Sequence, residues 1–114
     1  INIPAMANDD YIKNLATLWK DNYKHWGTTK LYIEFSNECW NSIFQCHEWM
    51  EYMGNMTNQT SYSYYGQRVC EIREIFDNIL DPSGNKKTDN MIFSVMGTQE
   101  HNVYVTTEEL PNHA

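Results

Sequence analysis

The sequence predicts an α/β fold with parallel strands, and three observations carry that prediction. Residues 31–36 alternate: Leu31, Ile33 and Phe35 fall on one side, Tyr32, Glu34 and Ser36 on the other. That is the two-residue period of a strand. Residues 91–97, MIFSVMG, form a short apolar run, the pattern of a buried parallel strand. Between them Tyr62, Tyr65, Val69, Ile72, Phe76 and Ile79 recur at steps of three and four, the spacing of an amphipathic helix. Strands separated by helices imply crossover connections and parallel pairing.

Taken in order, residues 1–7 read as an incoming loop. Asn8 then offers a helix cap, with Asp9 and Asp10 as first-turn acids. Ile12, Leu15, Trp19 and Tyr23 follow at helical spacing, Ala16 and Leu18 widen the face, and Gly27 stops the helix. A strand over 30–36 comes next. A second helix is expected from near Trp40 or Asn41 to about Met53, broken by Gly54 and the polar stretch NMTNQTS. The third helix covers 62–80, and Asp81-Pro82-Ser83-Gly84 turns the chain out of it. NKKTDN reads as a solvated loop before the strand at 91–97. Beyond that only loop or weak strand is expected. Two strands leave sheet edges unpaired. The segment is therefore expected to pair with further chain or with neighbouring chains.

Composition excludes several classes. The chain has 114 residues and a net charge of −7 without a basic cluster. Nucleic-acid binding needs Lys and Arg to neutralise phosphate, and an anionic membrane surface needs them too. No apolar run reaches membrane-spanning length. The start at Ile1, without a signal peptide, reads as an internal piece or a mature product. Aromatic content is 14%, with four Trp and eight Tyr; most of these serve a core, and the load also suits sugar stacking. Two sequons, at Asn55 and Asn58, point to a glycosylated extracellular protein.

The chemistry concentrates in residues 31–41, LYIEFSNECWN. Glu38 shares strand parity with Glu34 and Ser36. If Leu31, Ile33 and Phe35 face covering helices, the three polar side chains face the other way, at the end of a parallel strand. Asn37 and Glu38 also precede a helix, where acids are ordinary first-turn residues.

YIEFSNE at 32–38 resembles the fourth-strand signature of clan A glycoside hydrolases, which are (β/α)₈ barrels. The longer block YIEFSNECWNSIFQ, with YYGQRVCEIREIF at 64–76 and FSVMGTQ at 93–99, resembles extracellular barrel proteins with an SNEVWN-type block. The resemblance covers roughly residues 4–100. It implies a TIM-barrel fragment running from about the third helix to the fifth strand, with all 114 residues part of one barrel domain. It implies a β-linked polysaccharide or oligosaccharide substrate, with Glu38 as general acid/base and Asn37 as the amide for the sugar 2-hydroxyl. Trp40 and Asn41 then line the sugar site, and Gln99 and His101, past the end of the next strand, become substrate-lining candidates. Cys39 departs from the usual branched aliphatic. The nucleophile of such enzymes lies on the seventh strand, outside this chain. The alternative is a non-catalytic structural or carbohydrate-binding glycoprotein on the same barrel. An independent small α/β interaction module is a third reading.

No other motif competes. His25, His47, His101 and His113 show no metal-ligand spacing, so no metal and no cofactor is implied. Neither a phosphate-binding Gly-rich loop nor GxGxxG is present. Cys39, Cys46 and Cys70 leave one thiol over if two pair. Cys46 and Cys70 are equidistant from residue 58, between two helices expected to be antiparallel. That predicts a Cys46–Cys70 disulfide in an oxidising compartment.

Overall fold

The structure, a computed structural model, describes residues 1–23, 28–85 and 88–110. The elements run β1 (Asn2–Ile3), α1 (Asp9–Asn22), β2 (Leu31–Phe35), α2 (Gln45–Met56), α3 (Ser61–Leu80), β3 (Ile92–Val95) and α4 (Val103–Glu109). The strands form one parallel sheet in the order β1-β2-β3. Ile3 pairs with Phe35, Leu31 with Ile92 and Glu34 with Val95.

This corrects the expected barrel fragment. The described residues form a small α/β unit of four helices and a three-stranded open sheet, not a section of an eight-stranded barrel. Two reasons are local. Residues 1–7 are not all loop: the Ile1 amine donates to the Tyr32 carbonyl at 2.8 Å and Ser36 N–H to the Ile3 carbonyl at 2.7 Å, which adds β1 as a third strand. The face of β2 expected to line a barrel interior instead meets solvent. Tyr32 is 53% exposed there, stacked on Phe93 with ring centroids 5.3 Å apart. The Lys30 ammonium stands 5.5 Å from the Phe93 centroid, a cation–π contact.

The opposite face carries the core. Leu31, Ile33, Phe35 and Ile92 are buried, and so are Ile12 and Ala16 of α1 and Met50 of α2. All of them pack around Tyr65, Val69, Ile72 and Phe76 of α3. Phe35 and Tyr65 stack with centroids 5.5 Å apart, and the Tyr65 hydroxyl accepts the Gly97 N–H at 3.0 Å. Near the other end of β3, Arg73 Nη1 donates to the Ile92 carbonyl at 2.7 Å. α3 therefore runs antiparallel to the strands it covers.

Helix ends follow the expected chemistry in part. The Asn8 side chain accepts from Tyr11 N–H at 2.9 Å and caps α1. Thr60 caps α3 through Ser63 N–H at 3.0 Å. Gly27, the expected stop of α1, lies outside the described residues, as do His25, His113 and Lys86-Lys87 of the polar loop. Gly54 does not end α2, which continues to Met56. Its role is close approach: a β-carbon at Gly54 would stand 2.8 Å from the Gln59 carbonyl oxygen. α4 replaces the expected loop or weak strand after residue 97. No described helix is long and apolar enough to cross a membrane.

Candidate functional site

The C-terminal ends of parallel strands are where α/β folds place their ligands. Here β2 ends at Phe35 and the backbone turns sharply. Ser36 has φ 56° and Glu38 φ 47°. Both are left-handed values that cost a non-glycine residue about 1–2 kcal/mol. The strand parity that assigned Glu38 to the face of Glu34 therefore ends at residue 35, because alternation requires extended backbone.

The strained turn is tied on both sides. Asn2 Nδ2 donates to the Ser36 carbonyl at 2.7 Å, from β1. Cys46 Sγ donates to the Asn37 carbonyl at 3.3 Å, from the first turn of α2. His47 Nδ1 meets the Cys39 carbonyl at 2.8 Å while its Nε2 meets Glu51 Oε1 at 3.1 Å. Asn41 N–H donates to the Glu38 carbonyl at 2.8 Å, and Asn41 Nδ2 to Glu38 Oε2 at 3.3 Å. Asn41 Oδ1 accepts from Ile43 N–H at 3.2 Å. This bonded turn delays the start of α2 from the expected residue 40 or 41 to Gln45.

The result is an exposed Glu38 carboxylate on a fixed loop. One oxygen is held by an amide, and Asn37 is exposed beside it. Trp40 and Asn41 are half-buried. Gln99 and His101 take other roles. The Gln99 side chain accepts from Asn102 Nδ2 at 2.7 Å in the turn before α4. His101 is 90% exposed and pairs with Glu100 at 3.2 Å. None of the described hydrogen bonds or ion pairs joins either residue to Glu38. Glu34 Oε2 accepts from Asn2 Nδ2 at 3.5 Å on the open sheet face. Among the described residues no group of three or more His, Cys, Asp or Glu is placed to hold a metal ion.

Neither the protein-family models, nor the curated proteins, nor the solved structures contain a match to this chain.

Two further expectations meet the geometry at this end of the sheet. None of the three cysteines is in a disulfide, so the Cys46–Cys70 bond is not formed. Cys46 lies instead against Cys39, with its thiol on the Asn37 carbonyl. Burial, chiefly, pushes the Cys39 thiol up to about 12. Asn55 is not in a loop but in the last turn of α2, and Asn58 follows it at φ 57°; both are exposed.

Sequence reasoning missed two polar groups of the interior. Arg68 is 8% exposed and bonded to Asp9, Glu71 and the Ala7 carbonyl. Its position four residues after Tyr64 and one before Val69, on the buried side of α3, was the available signal. Glu109 is 2% exposed, and its Oε2 has no partner. Burial, chiefly, pushes its carboxyl up to about 7. Nothing in VYVTTEE marks that residue for burial.

Proposed function

We propose that this chain belongs to an extracellular glycoside hydrolase-like protein acting on a β-linked polysaccharide, with Glu38 as general acid/base. One observation carries the reading. An exposed carboxylate stands on a strained, multiply bonded turn at the C-terminal end of a parallel strand. Backbone strain of this kind persists where the surroundings over-determine it, and it gathers at functional sites.

The chemistry follows from the groups present. Protonated Glu38 gives its proton to the departing glycosidic oxygen, and as carboxylate it then takes one from water. Asn41 fixes which way the carboxyl points, and Asn37 beside it bonds a sugar hydroxyl. The exposed sequons at Asn55 and Asn58 support the extracellular assignment. Retaining hydrolysis needs a second carboxylate about 5–5.5 Å away. Under this reading that group comes from outside the described residues.

A second reading is favoured by one specific fact. Among the described contacts, the Glu38 carboxylate is touched by the Asn41 amide alone. An unpaired exposed carboxylate also serves as a hydroxyl acceptor in a non-catalytic carbohydrate-binding glycoprotein. Glu38→Gln in the full protein separates the two. Under the catalytic reading, turnover of an unactivated β-linked oligosaccharide falls by about 10²–10⁴, and an aryl glycoside with a good leaving group suffers much less. Equal losses on both substrates remove Glu38 from the acid role. Binding without turnover in the unmutated protein selects the second reading.

A further inference from the structure

A cleft of about 490 Å³ opens between the turn after β1, the middle of α2 and the first half of α3. Its volume lies within the ~300–1,000 Å³ of small-molecule sites. Glu38 is not among its lining residues. Trp49, Met53 and Tyr64 make its apolar surface; Asp9, Gln67 and Arg68 belong to its polar surface.

That polar surface is one continuous hydrogen-bonded chain. Gln59 Nε2 donates to Gln67 Oε1 at 2.8 Å, and Gln67 Nε2 to Glu71 Oε1 at 2.6 Å. Arg68 Nη1 donates to Glu71 Oε2 and to Asp9 Oδ1, each at 2.8 Å. Arg68 Nη2 reaches the Ala7 carbonyl at 3.1 Å. The Arg68 side chain is 10% exposed, against 59% for Asp9. The guanidinium is thus a fixed post, and Asp9 is the member that faces solvent.

Charge narrows the ligand. Two carboxylates outweigh one guanidinium, so an anion is repelled. The guanidinium at the centre of the network opposes a bare cation. An uncharged ligand with several hydroxyls suits a wall that offers both donors and acceptors. Asp9 Oδ2 takes part in none of the described bonds and is available to a hydroxyl. Trp49 is half-buried, and Tyr52 stacks on one of its faces with ring centroids 5.7 Å apart, so a ring with an apolar C–H side has the other face to stack on. The Trp49 indole N–H is buried without an acceptor among the described residues, a costly state.

We propose that this cleft binds a pyranose ring, stacked on Trp49 and hydrogen-bonded at Asp9, as a sugar site separate from Glu38. The test is an NMR titration of the indole N–H of Trp49, assigned by its loss in Trp49→Phe. The probes are methyl β-D-glucopyranoside and cellobiose, with inorganic phosphate and tetramethylammonium chloride as charged comparisons. The sugars should shift that resonance saturably at millimolar concentration. Asp9→Asn should weaken the sugar by about tenfold, the loss of one hydrogen bond to a charged group, with Gln67→Leu as a second wall variant. Glu38→Gln should bind as the unmutated protein does, so the cleft and the catalytic reading fail or survive separately. The proposal is overturned if neither sugar moves the resonance, if only a charged probe does, if both wall variants bind normally, or if Glu38→Gln abolishes the shift.

Discussion

The Glu109 carbonyl oxygen sits where a β-carbon on Gly66 would have to stand. α4 therefore rests backbone to backbone on α3, and only a residue without a side chain allows the approach. Thr60 Oγ1, at the cap of α3, reaches Glu108 Oε2 at 3.3 Å and ties the same two helices.

Gly66→Ala should consequently dislodge α4. Overpacking of this kind costs about 1–3 kcal/mol. A β-carbon at Gly97 meets only the Tyr65 hydroxyl, at 3.6 Å. Gly97→Ala should therefore stay within about 0.5 kcal/mol of the parent. Thermal melts of the two variants, run side by side, read the difference.

Glu109 makes the same contact sensitive to pH. Its carboxyl is raised from 4.5 to about 7 by burial, so the folded state holds a proton that the unfolded chain releases earlier. The stabilising effect of that proton is complete below about pH 4.5. It is lost as pH rises toward 7, on the order of 3 kcal/mol in all. Denaturant midpoints measured from pH 4.5 to 8 should fall along that window, and Glu109→Gln should flatten the fall. A Glu109→Gln profile as steep as the parent's would assign the dependence to other groups.

Arg68 links α1 to α3 across the cleft. Arg68→Met leaves the Ala7 carbonyl without its donor and should cost about 1–3 kcal/mol. Asp9→Asn removes only the exposed end of the pair and should cost no more than about 1 kcal/mol. Urea titrations that return equal losses would contradict the buried-post arrangement.

The thiols should differ sharply toward alkylation. Cys39 is buried and its thiol is pushed up to about 12, so little thiolate forms at pH 8. Timed iodoacetamide labelling with peptide mapping should modify Cys39 last, and a non-reducing map should show no 46–70 cross-link. Rapid labelling of Cys39 would mean that the turn at 36–39 opens readily.

Of the two sequons, Asn58 is the better acceptor, since it sits in an exposed turn rather than in a helix. Secreted from a eukaryotic host, the protein should lose glycan mass in Asn58→Gln. It should keep that mass in Asn55→Gln, read by intact mass before and after glycosidase treatment.

What was legible in the sequence shares one property: the signal is local and repeated. α1 announces itself by Asn8 and its apolar stripe, β2 by alternation, α3 by five turns of spacing, and β3 by its apolar run. β1 is two residues long, too short to show a period. α4 carries β-branched residues at Val103, Val105, Thr106 and Thr107, which disfavour helix, and its contact with Gly66 overrides them. The placement of Glu38 at a strand end could be read. Its orientation could not, since left-handed Ser36 and Glu38 break the alternation on which that reading relied. The barrel expectation extended β2's inner face to strands that do not form here. The cleft draws on positions 9, 49 and 68, which only the tertiary fold brings together.

Every other helix leans on α3. Its early turns hold α4 through Gly66, Arg68 ties it to the first turn of α1, and its buried stripe covers the sheet. Amide protons in the middle of α3, around Val69 and Ile72, can then exchange with solvent only when the whole assembly opens. Those of α4 can exchange by a lesser opening that leaves the rest intact. α3 thus sets the ceiling of the protein's opening free energy.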